Sequence, residues 1–396
     1  MSEVSKQANV NFLLITAGVV SVSLGLAYPY FSEYTYSLTG SPIIAGLVSS
    51  VRSVVCISSF VVGGLVADTL GRKKPIFSGT FVLGYALIVY ATSQTVYQLL
   101  IAAVLEGIAY FYFPAFNAMI MDSTSDRRLL KVFTMVLVVE HLPYSVSPFV
   151  GGFMRDSYGI AGLRICYAGG GALTLLMASL RMRFLTETLK ERKRGQGIIV
   201  KAYLTLLKDF KQINPFVKEL VILRSLVLLN ALAMFDFFLV LYAVRDFGIM
   251  NFTEFGMAFA LASLSFLGAV PLSARIGSID RAHLYGSLLL LESLAPLFVL
   301  SNSKLAIFIS LVVLNVCGAL TYALERSSIA IVTEQTFRGR AESFMNISFY
   351  VGAAIGTMIG GYLYSIDPRL VMKVAFLLFF SGALLGHSIF KKLGKG

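Results

Sequence analysis

The sequence is poor in charge. Asp, Glu, Lys and Arg make up only 14% of its 396 residues, against roughly 25% in a soluble domain. The deficit excludes a chain whose surface faces mainly water. Cysteine is scarce as well. Cys56, Cys166 and Cys317 fall in separate apolar stretches without metal-ligand spacing, so they read as small packing residues and no metal site is expected. No Gly-x-x-x-x-Gly-Lys-Ser/Thr run is present, which removes the cradle that would hold ATP phosphates. No nucleophile–base set stands out either, so neither an enzyme nor a cofactor is expected. A short polar N-terminus runs directly into a full-length apolar stretch, and the expectation is no cleavable signal peptide and no lipid anchor.

What the chain has instead is apolar length. Hydrophobic residues make up 57% of it, and its mean hydropathy is +0.79. Val10–Ser32 and Pro75–Leu105 carry no charge at all. Each exceeds the ~20 residues that cross a bilayer core as a helix, and neither alternates as a barrel strand would. The pattern predicts an all-α integral membrane protein with twelve spans. They fall near 11–36, 43–67, 75–93, 96–121, 130–154, 161–181, 218–244, 253–276, 282–301, 304–331, 341–365 and 369–391.

The net charge of +12 could suggest nucleic acid, but its distribution does not. Lys and Arg cluster in alternate connections: Arg72, Lys73 and Lys74; Arg127, Arg128 and Lys131; Arg275 and Arg281; Arg338 and Arg340. Placing these inside puts about 25 of the 33 basic residues on one side. By the positive-inside bias, both termini are then cytoplasmic and the partner is a lipid bilayer. Short loops suit a prokaryotic cell membrane.

The longest connection, 182–217, divides the chain into residues 1–181 and 218–396, six spans each. It starts with Thr186-Glu187-Thr188 and a basic run at 190–194. Ile198, Ile199, Tyr203, Leu206, Leu207, Phe210 and Ile213 then recur at helical spacing, which reads as an amphipathic helix on the inner leaflet. The halves look like a repeat. Gly151-Gly152 ends the fifth span and Gly360-Gly361 the eleventh, and Ala274–Arg281 is a worn echo of the connection at Gly64.

That connection, Gly64-Leu65-Val66-Ala67-Asp68-Thr69-Leu70-Gly71-Arg72-Lys73-Lys74, is the most specific motif. Its glycines permit close approach and a tight turn. It resembles the signature loop between the second and third spans of the major facilitator superfamily, departing at Thr69, where arginine is common. The resemblance covers essentially the whole chain and implies two pseudo-symmetric six-helix halves that rock about a midplane site. It also implies a gate of Gly64, Asp68, Gly71, Arg72 and Asp122. In it Asp68 sits at the start of the eleventh span, and Arg72 pairs with Asp122 at the end of the fourth. Pro143 and Pro148-x-x-Gly151-Gly152 keep part of the exporters' fifth-span motif, which permits a bend against the eighth span.

The spans also hold charges that lipid would not tolerate: Arg52, Glu106, Glu140, His141, Asp236 and Glu292. Each would cost on the order of 2.5–3.5 kcal/mol at a lipid-facing helix centre. They should pair, or face a water-filled cavity. By the resemblance, Glu106 and Asp236 face the central cavity and Arg52, Glu140 and His141 lie on its walls. Glu292, on the ninth span, is expected to be peripheral and structural. Arg52 is the expected partner of Glu106, and Asn230 or Asn315 that of Asp236. Glu140 and His141 are ~100° apart on a helix and should not both face one cavity squarely. Tyr28, Tyr34, Tyr110 and Phe113 are expected as cavity aromatics suited to an amphipathic substrate. The expected function is proton-coupled efflux of small amphipathic organic compounds by a monomer. The alternatives are uptake of a small metabolite such as an organic acid, with Arg52 as its anion site, and a receptor or scaffold that transports nothing.

Overall fold

The computed structural model describes residues 3–189, 204, 206, 208–273, 280–334 and 338–393. Among these, twelve helices are long and apolar enough to cross a membrane. They are α1 (Ser5–Thr39), α2 (Pro42–Leu70), α3 (Lys73–Thr92), α4 (Val96–Ser123), α5 (Lys131–Tyr158), α6 (Ile160–Phe184), α7 (Pro215–Asp246), α8 (Phe252–Ala269), α9 (Arg281–Val299), α10 (Lys304–Val332), α11 (Arg340–Ile366) and α12 (Pro368–Leu393). The described residues contain no strand. Within lipid, only a closed barrel or helices can satisfy every backbone group, and this chain uses helices. Most of the expected amphipathic helix and residues 274–279 of the echo loop lie outside the described residues. Of the amphipathic set, Phe210 packs on Phe344 of α11 with ring centroids 5.1 Å apart, and Ile213 is buried.

Three spans of the first half are interrupted by proline. Tight 3-10 turns occur at Tyr28–Tyr30 around Pro29, at Tyr110–Tyr112 before Pro114, and at Leu142–Ser145 around Pro143. Proline lacks the N–H that continues the ladder, so the helix tightens or bends there. In the second half, α7 opens into wide π turns at Arg224–Leu228 and Leu241–Asp246.

The halves meet along two seams, α2 with α11 and α5 with α8. Glycine makes both possible. A Cβ on Gly46 would stand 2.2 Å from the Thr357 carbonyl oxygen, and one on Gly152 2.1 Å from that of Phe252. Backbones that close leave no room for a side chain, and close van der Waals packing is the main attraction between helices in lipid.

Polar contacts seal the end of the bundle opposite the Gly64–Lys74 loop. Glu33 of α1, 1% exposed, accepts from Arg155 Nη2 of α5 at 2.6 Å and Arg245 Nη1 of α7 at 3.3 Å. Tyr30 Oη donates to the Pro148 carbonyl at 2.6 Å and lies 3.2 Å from the Phe252 carbonyl oxygen. Asp156 of α5 accepts from the Phe252 and Thr253 N–H groups (3.2 and 2.7 Å) and from Thr253 Oγ1 (2.6 Å). A carboxylate from one half thus caps the first turn of a helix in the other, where the helix dipole favours negative charge.

Asp156→Ala should remove this cross-half cap while leaving each half intact. With about 1–2 kcal/mol lost, the sealed-to-open ratio should fall roughly fivefold to thirtyfold. Spin-label distances across this end, in wild type and variant, measure the change.

Candidate functional site

The signature loop is held by one arginine and one glutamate. Arg72 Nη1 donates to the Ala67 carbonyl at 2.7 Å and to Asp68 Oδ1 at 3.0 Å, and its Nε to Asp122 Oδ2 at 3.4 Å. The structure therefore brings Asp68, Arg72 and Asp122 together. Asp68 is half-exposed, and its bond is to Arg72 rather than to any described residue at the start of α11. The glycines divide differently from expectation. Nothing lies near Gly64, whereas a Cβ on its neighbour Gly63 would stand 2.4 Å from the Phe111 carbonyl oxygen. Gly71 turns with φ +93°, and a Cβ there would meet Glu187 Oε2 at 2.3 Å.

Glu187 was not singled out as part of the loop. Its carboxylate accepts from the backbone N–H groups of Arg72 (2.9 Å) and Lys73 (3.2 Å), capping α3, and from those of Thr188 and Leu189 at 3.0 Å each. Thr188 Oγ1 donates to Asp122 Oδ2 at 2.8 Å. The chain leaving α6 is therefore bonded into the signature loop.

Inside the first half, Glu106 of α4 is 2% exposed. Its Oε1 faces Arg52 Nη1 of α2 at 3.5 Å, and its Oε2 accepts from Tyr90 Oη of α3 at 3.0 Å. The Arg52 guanidinium stands over the Tyr28 ring at 4.6 Å and the Phe31 ring at 5.0 Å, which adds cation–π attraction. Tyr28 is partly exposed, and Tyr110 and Phe113 both pack on Phe60. Tyr110 also meets Tyr350 of the second half, with centroids 5.9 Å apart. Tyr34 departs from expectation. It is fully buried, donates to the Tyr90 carbonyl at 2.5 Å and packs on Tyr167, so it is core rather than cavity wall.

The second half repeats the plan with residues that sequence reasoning passed over. Glu325 of α10 pairs with Arg224 of α7 and accepts from Tyr285 Oη of α9 at 2.7 Å. Arg224 Nε also donates to Ser348 Oγ of α11 at 3.3 Å. In each half the fourth helix supplies the acid, the third a tyrosine, and another helix an arginine. That correspondence was the available signal for Glu325, which an adjacent Arg326 near the span's end obscured.

A cavity of about 580 Å³ lies against this network. Glu140, His141, Asp236, Glu292 and Glu325 line it, with Arg224 and Arg326. Asp236 is exposed to it and makes no hydrogen bond or ion pair with a described residue. Asn230 and Asn315 do not reach Asp236; their amides donate to Leu226 and Leu311 carbonyls of their own helices. Glu292 is not peripheral, because it opens onto the same cavity. Glu140 and His141 both line it despite their angular separation. His141 Nδ1 contacts the Leu137 carbonyl at 2.9 Å, and its ring stacks on Phe266 of α8 at 4.5 Å. A volume of this size suits a small organic molecule. Its walls also include Phe259, Phe266, Phe349 and Leu residues.

Two six-helix halves, a sealed end and a charged cavity beside the seam describe a secondary transporter. The family model described as Major Facilitator Superfamily matches residues 13–291 and 250–392, and the chain belongs to that superfamily. It is 25% identical over 371 residues to an uncharacterised MFS-type transporter of Methanocaldococcus jannaschii, covering 91% of this chain and 92% of the relative. It is 24% identical over 370 residues to multidrug resistance protein 1 of Bacillus subtilis, covering 91% of each. In fold it is similar to a bacterial homolog of the human lysosomal transporter Spinster, solved inward-facing and unoccupied. That likeness has a TM-score of 0.80 at 14% identity and covers 100% of this chain and 99% of the other.

Burial alone would raise the Glu187 carboxyl. The bonds from the Arg72, Leu189, Lys73 and Thr188 N–H groups outweigh it and hold the group below the usual carboxylate range. A depressed carboxyl stabilises the docked segment fully above its undocked pKa, about 4.3, and loses that contribution as pH falls through the docked value. Docking should therefore persist at pH 5 and loosen in stronger acid. Glu187→Gln should loosen it already at pH 7. Alkylation of a cysteine placed at Thr188 reads both effects.

Proposed function

We propose that this transporter exports small amphipathic organic compounds, preferably cationic ones, in exchange for protons, by alternating access. The observation that carries the reading is the cavity. It is of small-molecule size, partly walled by aromatic rings, and its lining carboxylates Glu140, Asp236, Glu292 and Glu325 outnumber its guanidiniums, Arg224 and Arg326. A cation would be attracted by that excess, and its apolar part by the phenylalanines. The similarity to a protein named for multidrug resistance supports the direction of transport.

Asp236 is our choice of coupling acid. It faces the cavity without an ion pair to a described residue, so it can bind a proton or a cationic substrate in turn. Glu106 is held by Arg52 and Tyr90, which suits a structural post better than a carrier. The same pairing removes Arg52 as a free anion site and weighs against uptake of an organic acid. A receptor or scaffold would have no need of a charged cavity. The positive-inside bias puts the basic loops at the cytoplasmic face of a cell membrane, and the sealed end then faces outward.

The test is flux of a lipophilic cationic dye in liposomes with an imposed pH gradient. The wild type should move dye uphill, and an uncoupler should stop it. Asp236→Asn should abolish uphill movement and spare downhill exchange. Wild-type flux indifferent to both gradient and uncoupler would overturn the proton-coupled reading.

A further inference from the structure

The geometry points to Glu292 as a proton-binding site, the place where the charge network of the second half stores one exchangeable proton. The inference rests on the proton-driven export proposed above and adds a second, distinct acid to it.

The first argument is charge. Glu325 is matched by Arg224, and Glu342 of α11 lies 2.6 Å from Arg326 Nη1 of α10. Glu292 is the third carboxylate beside two guanidiniums, and it forms no ion pair with a described residue. It is only 6% exposed. An unmatched ionised carboxylate there would be costly, and one proton makes the cluster neutral.

The second argument is the hydrogen on Thr321. The Thr321 hydroxyl lies 3.4 Å from Glu292 Oε1 and 3.1 Å from the Gly318 carbonyl oxygen. A hydroxyl has one hydrogen to give. The shorter contact is the ordinary one to its own helix, to a group that can only accept. If Thr321 donates there, its oxygen meets Glu292 as an acceptor, and the contact is a hydrogen bond only when Glu292 carries the proton.

The surroundings leave one exit. Glu292 is faced from α9 by Tyr285 and from α10 by Cys317 and Glu325. Tyr285 already donates to Glu325. Glu342 belongs to the same cluster from α11, and His387 of α12 is held by the Ala282 carbonyl at 3.0 Å, nearer the loop end. The remaining direction is the cavity, which Asp236 lines from α7 and Glu140 and His141 from α5. On release, the O–H bond of the carboxyl breaks, its electron pair stays on Glu292, and the proton passes to cavity water. The new carboxylate then competes with Glu325 for Arg224. That arginine begins the π turn Arg224–Leu228, so the charge on Glu292 bears directly on α7 at a point where its helical winding is irregular.

The experiment is infrared difference spectroscopy of the full chain in liposomes, between neutral and alkaline buffer, alongside dye flux. The wild type should show a protonated-carboxyl band that disappears on deprotonation. Part of it should be missing in Glu292→Gln and present in Asp236→Asn. Glutamine keeps the shape of the protonated acid and can still donate to Thr321, and Glu292→Asp should restore a shifted band. Uphill dye transport should fall at least about tenfold in Glu292→Gln with downhill exchange retained. An identical band in wild type and Glu292→Gln overturns the proposal. So does an unchanged response of Glu292→Gln to the pH gradient where the wild type responds. If the wild-type flux ignores the gradient while the Glu292 band is present, proton-driven export fails and the proton site stands.

Discussion

No charge in this bundle can be left facing hydrocarbon, and the arrangement of the helices follows from how each one is satisfied. Glu33, Glu106 and Glu325 take the same solution: each accepts from at least one arginine and one hydroxyl. The partners are Arg155, Arg245 and Ser37 for Glu33, Arg52 and Tyr90 for Glu106, and Arg224 and Tyr285 for Glu325. Each set ties together different helices, so a charge that is costly alone becomes a register mark between spans. Arg181 shows another solution. Buried to 1% exposure, it has no ion pair with a described residue. It donates to Thr16 and Thr80 hydroxyls at 2.9 and 2.6 Å and lies near the faces of Tyr112 and Phe116. Three acids without an ion pair to a described residue, Glu140, Asp236 and Glu292, open onto one cavity.

The seams between the halves obey a different logic. Along them backbone meets backbone at glycine, which fixes distance but makes few directional demands. The directional contacts gather at the sealed end: Asp156 on the start of α8, Glu33 on Arg245, Tyr30 on the Phe252 carbonyl. Such polar groups, unlike a glycine-packed seam, have water as an alternative partner. At the other end, the bonds of Arg72 and Glu187 join the signature loop to Asp122 and to the start of the 182–217 connection, with no partner in the second half. The signature loop is therefore a rigid fixture of its half, joined to the chain that leads into the second.

Much of the fold was legible because its rules are one-dimensional. Span length, alternation of basic loops and the Gly64–Lys74 motif are read along the chain, and apart from the start of α1 and the end of α8 the twelve spans begin and end within a few residues of expectation. The Arg52–Glu106 contact was legible because both residues stand in otherwise charge-free runs. What failed depended on rotation about helix axes or on distant segments. Tyr34 lies in an aromatic crowd of which one face is core. Gly63, not Gly64, takes the close approach, and adjacent glycines give no hint of which one faces the partner helix. Glu187 sits 115 residues from its acceptor-seeking N–H at Arg72, a pairing that local pattern cannot show. Glu292, on α9, lines the cavity all the same, because helix order alone does not decide which side chains reach it.

The two halves share a plan but not a charge balance, and that difference separates scaffold from chemistry. In the first half Glu106 has a guanidinium in Arg52 and a hydroxyl in Tyr90, and the set is closed. In the second, the equivalent set of Glu325, Arg224 and Tyr285 is crowded by Glu292 and Asp236 along one cavity. The wide turns of α7 begin at Arg224 and resume at Leu241, on either side of Asp236, where a regular ladder would hold the helix stiff. Both acids therefore stand on or beside the helix whose winding is least regular. Arg224 meanwhile ties that helix to Ser348 of α11, which forms the seam with α2. Through that chain of contacts, the Arg224–Glu325 pair of the second half is joined to the packing that holds the two halves together.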